Sequence, residues 1–464
     1  MDTVAEEEKL RVKFGAVMVL LVSVLVPAGQ LSAQGGIGSI GGGGGGFGGP
    51  SIQGRGSGGK RQSDGLRIRP YVGVQAIYDS GLTSINQGAV AGISTRGAAG
   101  VEINGGLYGT KQWKRHQLQL SYSGDYRYYN NLPLFNGSDQ SLGLNYGTIL
   151  TKRVSFDGSV SAGTTNRAFG GISSFSSIDG LNQPGIPFNS LFDVRMYYGS
   201  ANGGITYNLS SRTSMSFSGG GYQVKRKNEA LFGVSGIQAR GDLVRRINRT
   251  TSVGIDYSFM TFQFSKAFGD SYVHGVGVFV ARQFGRRWQV EARIGAVNVE
   301  TLGTRQVQID PAIAAIIGVS SGSEVFYSNS ILGSGSLAVT RSSPQQGTFS
   351  FRFSRSVIPG NGILLTSQSD LGGVAYTRRL SRKLNLDATY SYNRLRGLGL
   401  ISGDFKTHMG GLGFGWQMAR YTQLTARYDR RNSVTNSLTT YNLNGNRFSV
   451  GVIFTPADIP VSLW

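Results

Sequence analysis

A period-two alternation of side-chain character runs through this chain from about residue 66 to the end. In 117–128, Leu118, Leu120, Tyr122, Tyr126 and Tyr128 fall on one side of an extended backbone, and Gln117, Gln119, Ser121, Ser123, Asp125 and Arg127 on the other. Trp288, Val290, Ala292 and Ile294 oppose Gln289, Glu291 and Arg293. Leu384, Leu386, Ala388, Tyr390 and Tyr392 oppose Asn385, Asp387, Thr389, Ser391 and Asn393, and Phe349, Phe351 and Phe353 alternate with Ser350, Arg352 and Ser354. Successive side chains of a strand point to opposite faces, so this pattern builds a sheet with one apolar and one polar face. The runs extend over ~10–14 residues, longer than the usual strands of globular sheets and long enough to cross a bilayer when tilted.

Composition supports an all-β chain. Of 464 residues 71 are Gly, 24 Phe and 21 Tyr, and strong helix formers are scarce among the alternating runs. Beyond the N-terminus no apolar stretch approaches the ~20 residues of a spanning helix. The absence of Cys excludes disulfides, thiolate metal sites and a lipid-modified N-terminal Cys. The formal charge of +21 raises the question of nucleic acid. Clustered basic helices and recognisable binding motifs are missing, so no nucleic-acid partner is expected.

Residues 1–33 read as a secretory signal: Lys9, Arg11 and Lys13 form the basic flank, 14–26 the apolar stretch, Pro27 its break, and Leu31-Ser32-Ala33 the approach to cleavage before Gln34. Removing that segment, which carries one more acid than bases, leaves the remainder at about +22. Residues 34–65 are a Gly-rich leader with six consecutive glycines at 41–46; it is too poor in apolar residues to offset its ordering entropy, and is expected to be flexible and periplasmic. Residues 66–464 are the sheet-forming region.

Connections in that region alternate in length. Short turns lie near 111–115, 151–153, 210–212, 248–250, 285–287, 344–347, 381–383 and 420–422. Longer loops lie near 80–97, 130–138, 166–190, 227–236, 267–271, 301–332, 358–366, 397–404 and 432–441. Eight turns and nine loops delimit eighteen strands, with 16–20 as the range. This is an even number, as a barrel with both termini on one side requires. The expected fold is a transmembrane, antiparallel, up-and-down β-barrel with short periplasmic turns and long extracellular loops. Irregular patterning near 201–204 and 260–264 suggests bulges there, and Tyr71, Trp113, Trp288, Trp416 and Phe454 suggest aromatic girdles.

The last strand alternates Phe448, Val450, Val452 and Phe454 with Arg447, Ser449, Gly451 and Ile453, and the chain ends on Trp464. Together with the export signal, that ending resembles a bacterial outer-membrane β-barrel, whose final strand closes on an aromatic residue. The resemblance implies an outer-membrane location, a lipid partner, and a C-terminal signal (Phe448, Val450, Val452, Phe454, Trp464) read by the barrel assembly machinery. The turn wording Arg282-Gln283-Phe284-Gly285-Arg286-Arg287-Trp288 and Thr377-Arg378-Arg379-Leu380-Ser381-Arg382-Lys383-Leu384 is similar to porin-like barrels and to barrels associated with exopolysaccharide systems.

Midplane Arg or Lys on a lipid face costs ~2–4 kcal/mol, so charges within the strands are expected inside. That assigns Arg67, Arg69, Arg127, Arg195, Arg240, Arg293, Arg352, Arg379, Arg427, Arg431 and Arg447 to the lumen, facing fewer acids: Asp125, Asp157, Asp242, Asp256, Glu291, Asp387 and Asp429. An arginine excess favours anionic solutes; a salt-bridge lattice that stiffens the wall is the alternative, and the two are compatible. The loops 166–190 and 301–332, the latter with its apolar run 309–319, are the expected constrictions.

Enzymatic chemistry is not expected. The three histidines, His116, His274 and His408, lie near strand ends without a local catalytic motif. The stretch Gly410-Gly411-Leu412-Gly413-Phe414-Gly415 falls within an alternating strand and precedes no helix, so it fails the context of a phosphate loop. No metal spacing and no cofactor motif occur. The functional expectation is an outer-membrane channel for small hydrophilic, anionic solutes. The alternatives are an export conduit for an acidic polysaccharide and a non-conducting surface or structural barrel.

Overall fold

The computed structural model describes residues 66–82, 96–165, 194–265, 269–285, 287–308, 321–343, 347–398, 403–436, 440–456 and 459–461. The segments 1–33 and 34–65, the loop 166–190, the run 309–319 and Trp464 lie outside the described residues. The strands in chain order are β1 (Leu66–Leu82), β2 (Arg96–Gln112), β3 (His116–Tyr129), β4 (Gly137–Ile149), β5 (Val154–Thr165) and β6 (Met196–Asn208). They continue with β7 (Thr213–Arg226), β8 (Val234–Arg246), β9 (Thr251–Phe264), β10 (Asp270–Phe284), β11 (Trp288–Gln308) and β12 (Ser321–Ser343). The last are β13 (Gly347–Ile358), β14 (Ser367–Arg379), β15 (Leu384–Gly397), β16 (Asp404–Gln417), β17 (Thr422–Asn436) and β18 (Thr440–Phe454). Each pairs antiparallel with its chain neighbours. β18 pairs with β1, from Val72 opposite Phe454 to Ser80 opposite Asn446. The sheet is therefore a closed eighteen-stranded barrel. A short β19 (Ile459–Val461) continues the seam below β18, against Leu66–Ile68 of β1.

Alternation sets the two faces. Val72, Val74 and Tyr78 of β1, Val276, Val278 and Val280 of β10, and Phe448, Val450, Val452 and Phe454 of β18 are all exposed, whereas residues of the opposite phase such as Ile77, Asp79, Val273, Phe279 and Arg447 are buried. Ile294 is 70% exposed and Ile331 79%, which no soluble protein would arrange around its whole circumference. The apolar face is the outer wall, and a closed sheet leaves no unpaired strand edge in hydrocarbon. The protein is a membrane-spanning β-barrel.

The short turns are built from hydroxyl caps and basic residues. Thr151 Oγ1 accepts from the backbone N–H groups of Arg153 (3.2 Å) and Val154 (3.0 Å), and Ser210 Oγ from those of Arg212 (3.2 Å) and Thr213 (3.0 Å). At this rim Lys111 lies over Trp113, Arg282 over Phe284, Arg341 over Trp288 and Arg420 over Tyr421. Cations stacked on aromatics suit a layer that is apolar on one side and anionic on the other. Trp113, Trp288, Trp416 and Phe454 are exposed here and fit the expected girdle. Tyr71 does not: alternation with Val72 turns it inward, where its ring packs over Gly106, a position at which a Cβ would sit 2.7 Å from Cε1.

Three further expectations are corrected. β5–β6, β6–β7 and β8–β9 keep one register through 201–204 and 260–264; the shift lies in β1 between Asp79 and Leu82. Gly81 there has φ +75°, and a Cβ on it would come within 2.2 Å of the Asn444 carbonyl oxygen, so only glycine fits. Most of 301–332 is strand: β11 and β12 stay paired to Gln308–Ser321. The connection after β17 shrinks to 437–439.

Val450 lies opposite Ala76 and Ala426 on the outer wall. Replacing it with Arg is expected to lower folding stability by about 2–4 kcal/mol, read as an earlier urea midpoint of the heat-modifiable gel band. An unchanged midpoint would mean that Val450 is wet.

Candidate functional site in the barrel interior

The face opposite the apolar wall carries charge in three clusters. The first bridges the seam. Arg447 Nη2 donates to Glu102 Oε2 at 2.6 Å, with Asp79 at 3.7 Å; Gln75 donates to Glu102 at 2.7 Å, and the Tyr129 hydroxyl donates to Asp79. Next to it Arg127 pairs with Asp139 at 3.0 Å and Asp125 at 3.6 Å. The second cluster joins β8, β9 and β11: Arg293 forms a two-pronged pair with Asp256, and Arg240 pairs with Asp242 at 2.8 Å and reaches Asp256 at 3.9 Å. The third joins β15 and β17, where Arg427 binds Asp429 at 2.9 Å, Asp387, and Thr389 Oγ1 at 3.1 Å. Several of these bonds skip a strand. Side chains on a concave surface converge, and the interior of a barrel is that surface.

Toward the end away from the short turns, loops enter the barrel. The connection 359–366 between β13 and β14 reaches the inward faces of widely separated strands. Leu364 packs with Leu395 of β15, Phe405 of β16 and Leu443 of β18. Thr366 Oγ1 hydrogen-bonds Ser271 Oγ of β10 at 2.6 Å. The Gly362 carbonyl accepts from the Phe232 N–H at 3.0 Å, and the Gly362 Cα faces the Arg226 guanidinium of β7 so closely that a Cβ would lie 2.8 Å from its Cζ. A segment that touches β7 on one side and β18 on the other must cross the interior. Asn361 Oδ1 shapes it, accepting from the N–H groups of Ile363 (3.1 Å) and Leu364 (3.0 Å). Beside it an apolar cluster of Tyr222, Val224, Val234, Phe262, Val273 and Val297 lines the wall, and the β3–β4 loop tucks Leu132 and Phe135 against Ile77, Leu82 and Tyr129. Among the described residues the segment that crosses the interior is 359–366, which the sequence reading counted only as a loop; of the two segments it favoured as constrictions, 166–190 lies outside the described residues and 301–332 is strand up to Gln308 and again from Ser321.

Arg69, Arg352 and Glu291 lie on the inward-alternating face of β1, β13 and β11. Arg431, 2% exposed, donates to the Gly81 carbonyl at 3.3 Å. Arg195 precedes β6 and donates to the Ser138 carbonyl at 3.0 Å. Arg379 folds back on its own turn, onto the carbonyls of Ser381 (3.2 Å) and Arg382 (2.7 Å), and so does not line the mid-wall. The side chain of Arg67 lies outside the described residues. Sequence reasoning missed the inward acids Asp79, Glu102 and Asp139, and hence overstated the arginine excess; it also missed Arg226 beside the crossing segment. The signal was present, because Asp79 follows Tyr78 and Glu102 sits between Val101 and Ile103 in the same alternation. Each histidine meets an outer-wall tyrosine at 2.8 Å: His116 with Tyr146, His274 with Tyr257, and His408 with Tyr390. No group of residues suited to a metal ion occurs among the described residues.

No protein-family model and no curated protein matches this sequence. Among solved structures the chain is similar to the ferric-catecholate import receptor Fiu of E. coli K12, at TM-score 0.41 and 8% identity over 83% of this chain and 81% of that one. It is also similar to Pseudomonas aeruginosa OccK9 (OpdG), at 0.41 and 12% over 84% and 98%. A BenF-like porin from Pseudomonas fluorescens Pf-5 scores 0.41 at 10% identity over 84% and 99%. Such scores describe a shared general shape and carry no chemistry over to this chain.

The Asp256 side chain is fully buried. Arg293→Met leaves that charge short of its main partner and is expected to destabilise the barrel by about 3–5 kcal/mol, much of it recovered in Arg293→Met/Asp256→Leu. Urea midpoints of the folded band measure both. A single variant as mild as a surface change would contradict a buried, coupled pair.

Proposed function

We propose that the protein is a channel for small hydrophilic solutes across the outer membrane, constricted by the crossing segment 359–366 and selective for anions at that level. The observation that carries this reading is the crossing segment inside a wall lined with charge. An eighteen-stranded barrel encloses more space than its wall side chains fill, and the polar, ion-paired face is one that water wets.

The paired clusters lower in the wall argue against a uniformly electropositive lumen. Arg127, Arg240, Arg293, Arg427 and Arg447 each hold a carboxylate, so they act chiefly as a lattice that keeps the polar face rigid. Anion preference then falls to the arginines beside the crossing segment. Arg226 has Nη1 on the Phe232 carbonyl and lies under Gly362. Arg431 is one inward position below Ser433, whose partner Leu443 touches Leu364. A desolvated guanidinium at a narrow point acts on a passing anion through a low dielectric, where a charge counts most.

Planar-bilayer recording tests this. Shortening 360–365 to two glycines is expected to raise single-channel conductance several-fold. Arg226→Gln with Arg431→Gln is expected to shift the reversal potential in a salt gradient toward cations. Silence of the shortened barrel would favour the non-conducting surface role. Current that acidic polysaccharide blocks at micromolar concentration would favour the export conduit. An unchanged reversal potential would overturn selectivity at the constriction.

A further inference from the structure

Among the described residues, the outer wall carries a cross-strand cluster of charge near one end of four neighbouring strands. On β13–β16, charged residues occupy positions that alternation assigns to the outside. Register sets Arg355, Asp370, Arg394 and Lys406 side by side across four strands, two residues beyond the row of Phe353, Tyr392 and His408. Arg355 binds Asp370 at 2.5 and 2.9 Å; Arg394 binds Asp404 at 2.8–3.2 Å, and Lys406 reaches Asp404 at 3.4 Å. Arg396, opposite Asp404, and Arg430 on β17 are exposed and form no ion pair with any described residue. The row with Arg396 and Asp404 carries four cations against two acids, and Arg430, opposite Gly410, stands below it beside the groove.

Charge at these positions is tolerated only beyond the hydrocarbon. The aromatic row beneath it fits that boundary: His408 contacts the rings of Tyr390 and Tyr392 and hydrogen-bonds the Tyr390 hydroxyl at 2.8 Å. Directly below lies an outward groove of about 370 Å³, floored by Gly410 and walled by Val374, Tyr376, Tyr390, Leu412 and Tyr428, with Arg430 at its edge. The groove exists because Gly410 has no side chain. A Cβ there would meet only the Thr389 carbonyl and Tyr390 Cδ2, both at 3.8 Å, so nothing in the packing demands glycine.

We propose that this face holds a phosphorylated lipid of the outer leaflet, with an acyl chain in the groove over Gly410 and its phosphate groups on Arg396, Lys406 and Arg430. Asp370 and Asp404 hold Arg355 and Arg394 upright, so part of the cationic rim is ordered before the lipid arrives. An apolar groove that opens onto an excess of guanidinium groups matches a molecule with tails and phosphates on one body. A free anion would gain nothing from the groove, and a neutral lipid nothing from the rim. Both parts face outward, so the site is independent of conduction through the lumen.

The test is native mass spectrometry of the full-length barrel in delipidating detergent, titrated with lipid A. The barrel is expected to retain one lipid A at least tenfold more tightly than phosphatidylethanolamine, and to lose that preference for dephosphorylated lipid A. Arg396→Glu/Arg430→Glu, which breaks no ion pair, and Gly410→Leu, which fills the groove, are each expected to weaken retention at least tenfold while the gel mobility of the folded band and the conductance stay unchanged. Lys225→Glu, an exposed cation at the same rim on β7, is expected to have no effect. Equal retention by wild type and both variants, or displacement of lipid A by millimolar inorganic phosphate, would overturn the proposal.

Discussion

Everything in this molecule follows from the backbone polar groups of strands that cross hydrocarbon. An N–H or C=O left unpaired there costs several kilocalories per mole, so the seam between β18 and β1 decides whether the sheet can exist in a membrane at all. The seam is correspondingly reinforced. Nine residue pairs run from Val72–Phe454 to Ser80–Asn446. β19 extends the pairing on one end, and on the other the one register shift between β1 and β2 places the Gly81 carbonyl under Arg431. The Arg447–Glu102 and Tyr129–Asp79 bonds tie β18, β1, β2 and β3 together on the inside.

Once closure is fixed, alternation divides the chemistry. Aliphatic and aromatic residues go to the lipid, and the charges that the outer wall cannot hold go inward, where they find each other. Cross-strand pairs such as Arg293–Asp256 and Arg427–Asp387 bridge over an intervening strand, which resists local shear of the wall. A rigid wall is what allows an inserted segment to be held from several sides. The strap 359–366 is anchored by Ser271 on β10, by Arg226 and Phe232 near β7, and by Leu364 against β15, β16 and β18.

Which parts of this were legible in the sequence follows from the range of the interactions involved. A strand's face assignment is local: Tyr122 and Arg127 declare opposite sides without knowledge of the rest of the fold, and so the eighteen strands, the turn–loop asymmetry and the sign of each wall position were readable. Contacts made by loops were not. Nothing in Pro359-Gly360-Asn361-Gly362 announces that it crosses the interior, because its partners lie as far away in the chain as Arg226, 136 residues before Gly362. The bulge was misread for a similar reason. Irregular patterning at 201–204 reflects glycines rather than a bulge, Gly204 among them, where a Cβ would come within 3.2 Å of the Asp157 carboxylate, whereas the true shift at Gly81 is set by the Asn444 carbonyl across the seam. The lumen's charge balance was misjudged through acids at strand ends, Asp79, Glu102 and Asp139, which the longest alternating runs left out.

The central claim is the division of faces along a closed wall, and β18 is where it is most exposed to test. The chain has no cysteine, so a single spin-labelled cysteine can be introduced at each position from 447 to 454 in reconstituted vesicles, and its collision rates measured with oxygen and with a water-soluble nickel complex. The account predicts oxygen maxima at 448, 450, 452 and 454 and nickel maxima at 447, 449, 451 and 453, two waves of period two exactly out of step. Nickel access at every position, or two waves in phase, would contradict it.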